Sequence, residues 1–264
     1  MNEQEVLGYM REQQNEDSSM GIYTPRDCQL PNLKTKPLVI LHAPRIVRDL
    51  GVIYGWLWST GILRETKDRY DTNRLYVERG SISELAVDVM FRSMYVTSPK
   101  WSGLFNFAKY DFIREGDREI TIGVTSSRQT DMEQYTAKQA AGMNYKGNPG
   151  IHYSYAKIDR LPDYLIGASV KSVQDGSDVA IWGAIKKRRL TLLMKKLEAT
   201  GLGWCRGNDV WLPLKENEAG LKGFNRSDFA GLVTALGYSE NLQSIETKAN
   251  AELKAIAERT KGYH

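Results

Sequence analysis

REITIGVTSSRQTDMEQYTAKQAAGMNYKG, residues Arg118 to Gly147, is the stretch that decides the fold. Glu119 to Val124 alternates apolar and polar side chains, the two-residue period of a half-buried strand. Ser126 to Gln129 is polar and reads as a loop. Thr130 to Ala141 has helical composition and stops at Gly142, the residue best suited to a left-handed helix end. Strand, loop and helix in that order predict a mixed α/β (α+β) protein, with hydroxyl groups and a helical tyrosine gathered beyond one end of a sheet.

The segments on either side extend this pattern. Leu38 to Leu41 is a short buried-type strand between Pro37 and Pro44. Ile46 to Leu50 suits a helical turn, and the aromatic run Val52 to Trp58 a strand or strand pair. Arg74 to Val77 reads as a strand leading straight into a helix over Ser81 to Met94, with Ser81 capping and Glu84 three residues on. Ser98 to Asp117 is aromatic and irregular, longer than most connections within a domain. Ile151 to Tyr155 and Leu165 to Val173 are strand-like. Ile181 to Ala199 reads as one helix with Ile185, Leu192, Leu193 and Leu197 inward. Trp204 to Leu212 holds a hairpin turn, and two helices follow at Ser227–Leu236 and Glu240–Arg259. The expected organisation is an acidic arm and extended segment over 1–37, an α/β body over 38–177, and a basic, mostly helical unit over 178–264 carrying one hairpin.

A chain of 264 residues with 41% hydrophobic and 26% charged residues has the composition of a globular protein. No apolar run reaches the roughly 20 residues of a membrane span. The acidic start does not read as a secretory signal, so no membrane partner and a cytoplasmic setting are expected. Two cysteines and three histidines, none at ligand spacing, point to no metal site. The charge is unevenly placed. Between Lys171 and Arg206, eight cations face three carboxylates, an excess of five against a whole-chain net charge of +4. Such a cluster suits a phosphate-bearing partner.

Two patterns carry candidate chemistry. In the first, Arg79-Gly80-Ser81 stands between a strand and a helix start. There, free backbone N–H groups hold phosphates, Gly80 permits close approach and Arg79 adds charge. The same residues also suit an ordinary capped helix. Downstream, Tyr135 is placed to act as a general acid, and Ser126, Ser127 and Thr130 line the pocket end.

Together these units resemble the GNAT acyltransferase plan. Within it, Arg74–Arg92 and Arg118–Gly147 look most like the bacteriophage Mom DNA-modification family, through Ser83-Glu84 at a helix start and the run Gln139-Ala-Ala-Gly-Met-Asn-Tyr145-Lys-Gly147. The resemblance implies a GNAT-like mixed sheet flanked by helices. It also implies acetyl-CoA or a related CoA thioester held at Arg79, Gly80, Ser81 and Ser83. Tyr135 would then be the acid, with Ser126 and Ser127 orienting a nucleic-acid acceptor.

The second pattern is basic and aromatic. Lys186, Lys187, Arg188, Arg189, Lys195 and Lys196 lie near Trp204, the combination that holds single-stranded DNA or RNA without strong sequence choice. The alternative to a transferase is therefore a non-catalytic nucleic-acid-binding protein. Neither pattern specifies an oligomeric state.

Overall fold

The computed structural model describes residues 36–59, 74–94, 100–101, 110–128, 150–154, 161–200, 204–206, 209–214 and 223–261. The expected helix over Thr130–Ala141, with Tyr135, lies outside them, as does nearly all of the arm over 1–37.

The chain is a mixed α+β structure, as expected. Its strands are β1 (Val39–Pro44), β2 (Lys100–Trp101), β3 (Phe112–Arg114), β4 (Ile120–Arg128), β5 (Gly150–Ser154), β6 (Tyr164–Val173), β7 (Gly176–Lys186), β8 (Trp204–Arg206) and β9 (Asp209–Pro213). Its helices are α1 (Arg45–Ser59), α2 (Arg74–Ser93), α3 (Lys187–Thr200), α4 (Arg226–Ala235) and α5 (Leu242–Thr260). Among the described residues six strands form one sheet in the order β1-β7-β6-β4-β3-β2, and three form a second in the order β5-β9-β8. Within the large sheet, β4 and β6 run parallel, and every other pairing is antiparallel.

Alternation along the strands divides the molecule into two cores. Ile120, Ile122, Ile166, Ala168, Val179 and Ile181 face a layer that includes Val87, Met90 and Phe91 of α2, Phe229 and Leu232 of α4, and Ile245 and Leu253 of α5. Leu165, Trp182 and Ile185 face the other way, toward Leu190, Leu193 and Met194 of α3 and Ile151 and Leu212 of the small sheet. Phe91 meets Phe112 edge-on, with centroids 5.3 Å apart and planes at 87°, the arrangement favoured by the ring quadrupole.

Three expected elements take another form. Val52 to Trp58 is helix, because Val47, Gly51 and Tyr54 bury one face of α1 at helical spacing. A methyl group on Gly51 would sit 2.4 Å from Ile82 Cγ1, so this glycine sets how closely α1 and α2 pack. Arg74 to Val77 is likewise helix. α2 runs unbroken through Gly80, since burial of Ile82, Ala86, Val87 and Met90 along one side outweighs the roughly 1 kcal/mol cost of a helical glycine. Ile181 to Lys186 is the end of β7 rather than the start of a helix. A strand buried on both faces reads as a continuous apolar run, which periodicity cannot separate from a buried helix.

The expected boundary at 177/178 consequently falls inside β7. This strand lies between β1 and β6, pairing with one from Val39↔Ile181 to Pro44↔Gly176 and with the other along its whole length. The C-terminal helix also closes the edge of β1. Glu246 Oε1 accepts from Ile40 N at 2.9 Å, Asn250 Oδ1 accepts from His42 N at 2.8 Å, and Asn250 Nδ2 donates to Ile40 O at 2.8 Å. These side chains occupy backbone groups that would otherwise template another strand.

Gly167 and Gly183 are register partners on β6 and β7. A Cβ on Gly167 would lie 2.5 Å from the Phe224 ring. One on Gly183, which has φ +145°, would lie 2.7 Å from Asn225 N and O. The chain at Phe224–Asn225 thus packs directly on this glycine pair, and Asn225 bridges to Ala184 past the end of β1.

Two outcomes follow. Gly183→Ala combines a strained φ with a backbone clash and should lower unfolding stability by about 2 kcal/mol or more in urea titration. A fragment ending at residue 177 lacks β7, which separates β1 from β6. It should show no cooperative thermal transition, whereas the full chain shows one.

Candidate nucleic-acid interface

β7 leads directly into α3, and the junction is held by a buried carboxylate. Asp228, 7% exposed, accepts through Oδ2 from Lys186 N at 3.1 Å, Asn225 Nδ2 at 3.0 Å and Arg189 Nε at 3.0 Å. Asn225 in turn caps α4, its Oδ1 accepting from Asp228 N at 2.8 Å. Lys187 N donates to Asp163 O at 2.9 Å, tying the start of α3 to the segment before β6.

Beside this junction is a cleft of about 710 Å³, at the end of the sheet where β4 and β6 begin and β3 and β7 finish. Arg114, Arg118, Lys186, Lys187 and Arg188 line it, together with Asp117 and Asp163. Five cations against two carboxylates leave three positive charges in excess. One of the carboxylates is engaged within the fold: Asp163 Oδ2 accepts from both Thr121 N and Thr121 Oγ1 at 3.0 Å. Arg114 Nη1 donates to Ala235 O at 2.5 Å, at the C-terminal end of α4, where carbonyls and the helix dipole favour a cation. Lys186 Nζ lies 5.7 Å from the centroid of the Tyr164 ring, within cation–π range. Arg118, Lys187 and Arg188 form no ion pair among the described residues.

α3 continues the positive surface. It opens with Lys187, Arg188 and Arg189 and has no acidic residue in its first turn. A helix N-terminus is already the positive end of the macrodipole, so these cations raise a potential that nothing acidic in that turn offsets. Leu190, Leu193 and Met194 are buried, whereas Lys187, Arg188, Leu192, Lys195 and Lys196 are exposed. From Lys187 to Lys196 an outward face about 14 Å long therefore leads away from the cleft.

Six expected basic residues are thus exposed on one junction and helix, three of them within the cleft. Arg189 is paired with Asp228. Trp204 begins β8 in the small sheet. Arg114 and Arg118 were not anticipated, because they lie some 70 residues from the basic run and only the sheet brings them to it. Their clue was the carboxylate-rich turn at Asp111, Glu115 and Asp117, which reads as self-neutralising on its own.

The expected cofactor turn is not formed. Arg79, Gly80, Ser81 and Ser83 lie inside α2 with their backbone N–H groups in helical register rather than at a helix start. Arg79, Ser81 and Ser83 are buried, Ser83 fully. Ser126 and Ser127 belong to β4 rather than to a loop beyond it. Ser127 is 2% exposed and is the register partner of Ser169, whose Oγ accepts from Trp182 Nε1 at 2.9 Å. On the same sheet, Asp111 Oδ2 accepts from Val124 N at 2.6 Å. The Tyr153 phenol is pushed up by burial first, then by Asp111 and Tyr110, and stays protonated at any ordinary pH. These serines are some seven residues along β4 from Ile120, roughly 20 Å from the basic cleft at its other end.

Among the described residues no helix is long and apolar enough to cross a membrane, and no group of three or more His, Cys, Asp or Glu side chains is placed to hold a metal ion. No family model matches the chain, and neither a curated protein nor a solved structure does so.

Removal of the junction carboxylate gives a direct check. Asp228→Ala strands the Lys186 and Asn225 donors and should cost about 2–4 kcal/mol in chemical denaturation. Arg189→Ala removes only a half-exposed partner and should cost about 1 kcal/mol or less.

Proposed function

We propose that the protein binds a nucleic acid through the basic cleft and the outward face of α3, without a catalytic step. The observation that carries this reading is the convergence of Arg114, Arg118, Lys186, Lys187 and Arg188 on one concavity, at the start of a helix lacking first-turn acids. Phosphates are the anions such a site is suited to hold, by charge-assisted hydrogen bonds and by the dipole. Lys195 and Lys196 extend the contact along α3. The acyl-transfer reading rested on a phosphate turn at Arg79–Ser83, and those residues are interior to α2. It therefore supplies no residue to this proposal.

Binding of this kind rests on counterion release. With about four phosphates neutralised on a single strand, log K should fall against log salt with a slope of about −3. The combined replacement of Lys186, Lys187 and Arg188 by alanine should flatten that slope by about 2 while leaving the thermal transition in place. Fluorescence anisotropy with single-stranded DNA and RNA measures both. Affinity unchanged by the triple replacement, or insensitive to salt, would show that the cleft is not the binding surface.

A further inference from the structure

The positive surface is not evenly charged, and its unevenness points to a particular phosphate group. Five cations from two separated stretches, Arg114 and Arg118 flanking the β3–β4 turn and Lys186–Arg188 at the β7–α3 junction, meet around a single cleft. Beyond it and Arg189, which Asp228 pairs, the next exposed cations on α3 are Lys195 and Lys196, about two helical turns from Arg188. An internal phosphodiester carries one negative charge, whereas a phosphomonoester carries about 1.5 to 2 at neutral pH and offers three acceptor oxygens. The cleft has the charge for the second kind and the helix face has it for the first.

Two features of the cleft fit an anchored end. Its lining includes the buried side chains of Ile120 and Tyr164 beside Ala235. The Arg114 guanidinium is already fixed by its bond to Ala235 O, and its Nε–H is buried with no acceptor among the described residues. A fork of donors oriented before the ligand arrives loses little freedom on binding.

Resting on the nucleic-acid reading above, we infer that the cleft takes the terminal phosphomonoester of a strand and that α3 holds the diester phosphates that follow. The protein would then distinguish strand ends by their phosphorylation. A free nucleoside monophosphate presents the same group, so the test separates the two sources.

The full chain is titrated by anisotropy with one single-stranded 20-mer in four forms: 5′-phosphorylated, 3′-phosphorylated, hydroxyl at both ends, and covalently closed into a circle. One phosphorylated form should bind at least tenfold more tightly than the hydroxyl-ended and circular forms. Arg118→Ala, on an exposed turn away from the core, should reduce that ratio to less than twofold. Lys195→Ala with Lys196→Ala should weaken all four forms by a similar factor and keep the ratio. Equal, salt-dependent affinity for all four forms overturns the end pocket and leaves the nucleic-acid reading standing. Failure of every form to bind removes both. An end preference that survives Arg118→Ala and Lys187→Ala together overturns the assignment to this cleft. Displacement of the phosphorylated strand by equimolar nucleoside monophosphate overturns the strand-end assignment in favour of a free nucleotide.

Discussion

The backbone of Asn225 lies against Gly183 of β7, with Phe224 over Gly167 on the neighbouring strand, and this approach is possible only because neither glycine carries a side chain. Much else depends on it. Asn225 bridges to Ala184 and caps α4, which places Asp228 one turn into that helix, beside the end of β7. Asp228 then holds Lys186 N and Arg189 Nε and so fixes where the strand ends and α3 begins. Phe224 joins one core while Phe229 and Leu232 join the other, so a few residues tie together the two faces of the sheet.

The electrostatics follow from the same arrangement. Among the described residues, several charges elsewhere are matched close by. In and beside α5, Lys248 pairs with Glu240 and Arg259 with Glu252, at 2.5 and 2.7 Å. The hydrogen bonds from Lys248 and Ser244 to Glu240 hold its carboxyl below the usual carboxylate range. At the β7–α3 junction the balance is reversed. The buried carboxylate takes Arg189, the Lys186 backbone N–H and the Asn225 side-chain amide and leaves Lys187 and Arg188 facing outward. Across the cleft, Arg114 is held by a helix-end carbonyl rather than a carboxylate, so its charge is not cancelled. Such an excess of like charge works against folding and is relieved when an anion binds. That is why it carries the functional reading.

Much of the fold was legible in the sequence. The strand over Leu165–Val173, the hairpin after Trp204 and the two final helices appear close to their expected limits, and the strand beginning near Glu119 starts where expected but runs on through the expected loop to Arg128. The two final helices bury one face each, and Gly237 at φ +85° closes the first of them. The misread segments share a different property. Val52–Trp58 is apolar around most of its circumference, and Ile181–Lys186 is buried on both sides, so neither displays a period. Arg74–Gly80 looked like a strand and a turn because a glycine and β-sheet-favouring side chains coincide there. Packing of α2 from Glu78 to Ser93 overrode that local preference.

The basic run at Lys186–Arg189 and Lys195–Lys196 was determined by the sequence alone, since charge and its clustering need no coordinates. What only the tertiary structure decided is which charges act together. It moved the first of those lysines to a strand end, neutralised Arg189 with Asp228, and brought Arg114 and Arg118 across to the cleft through the pairing of β3, β4 and β6. It also placed Arg79, Ser81, Ser83 and Ser127 inside the protein. The physical reason is common to both outcomes. A side chain's chemistry is written in its identity, but its solvent exposure and its partners come from long-range strand pairing and helix packing, which local spacing does not encode.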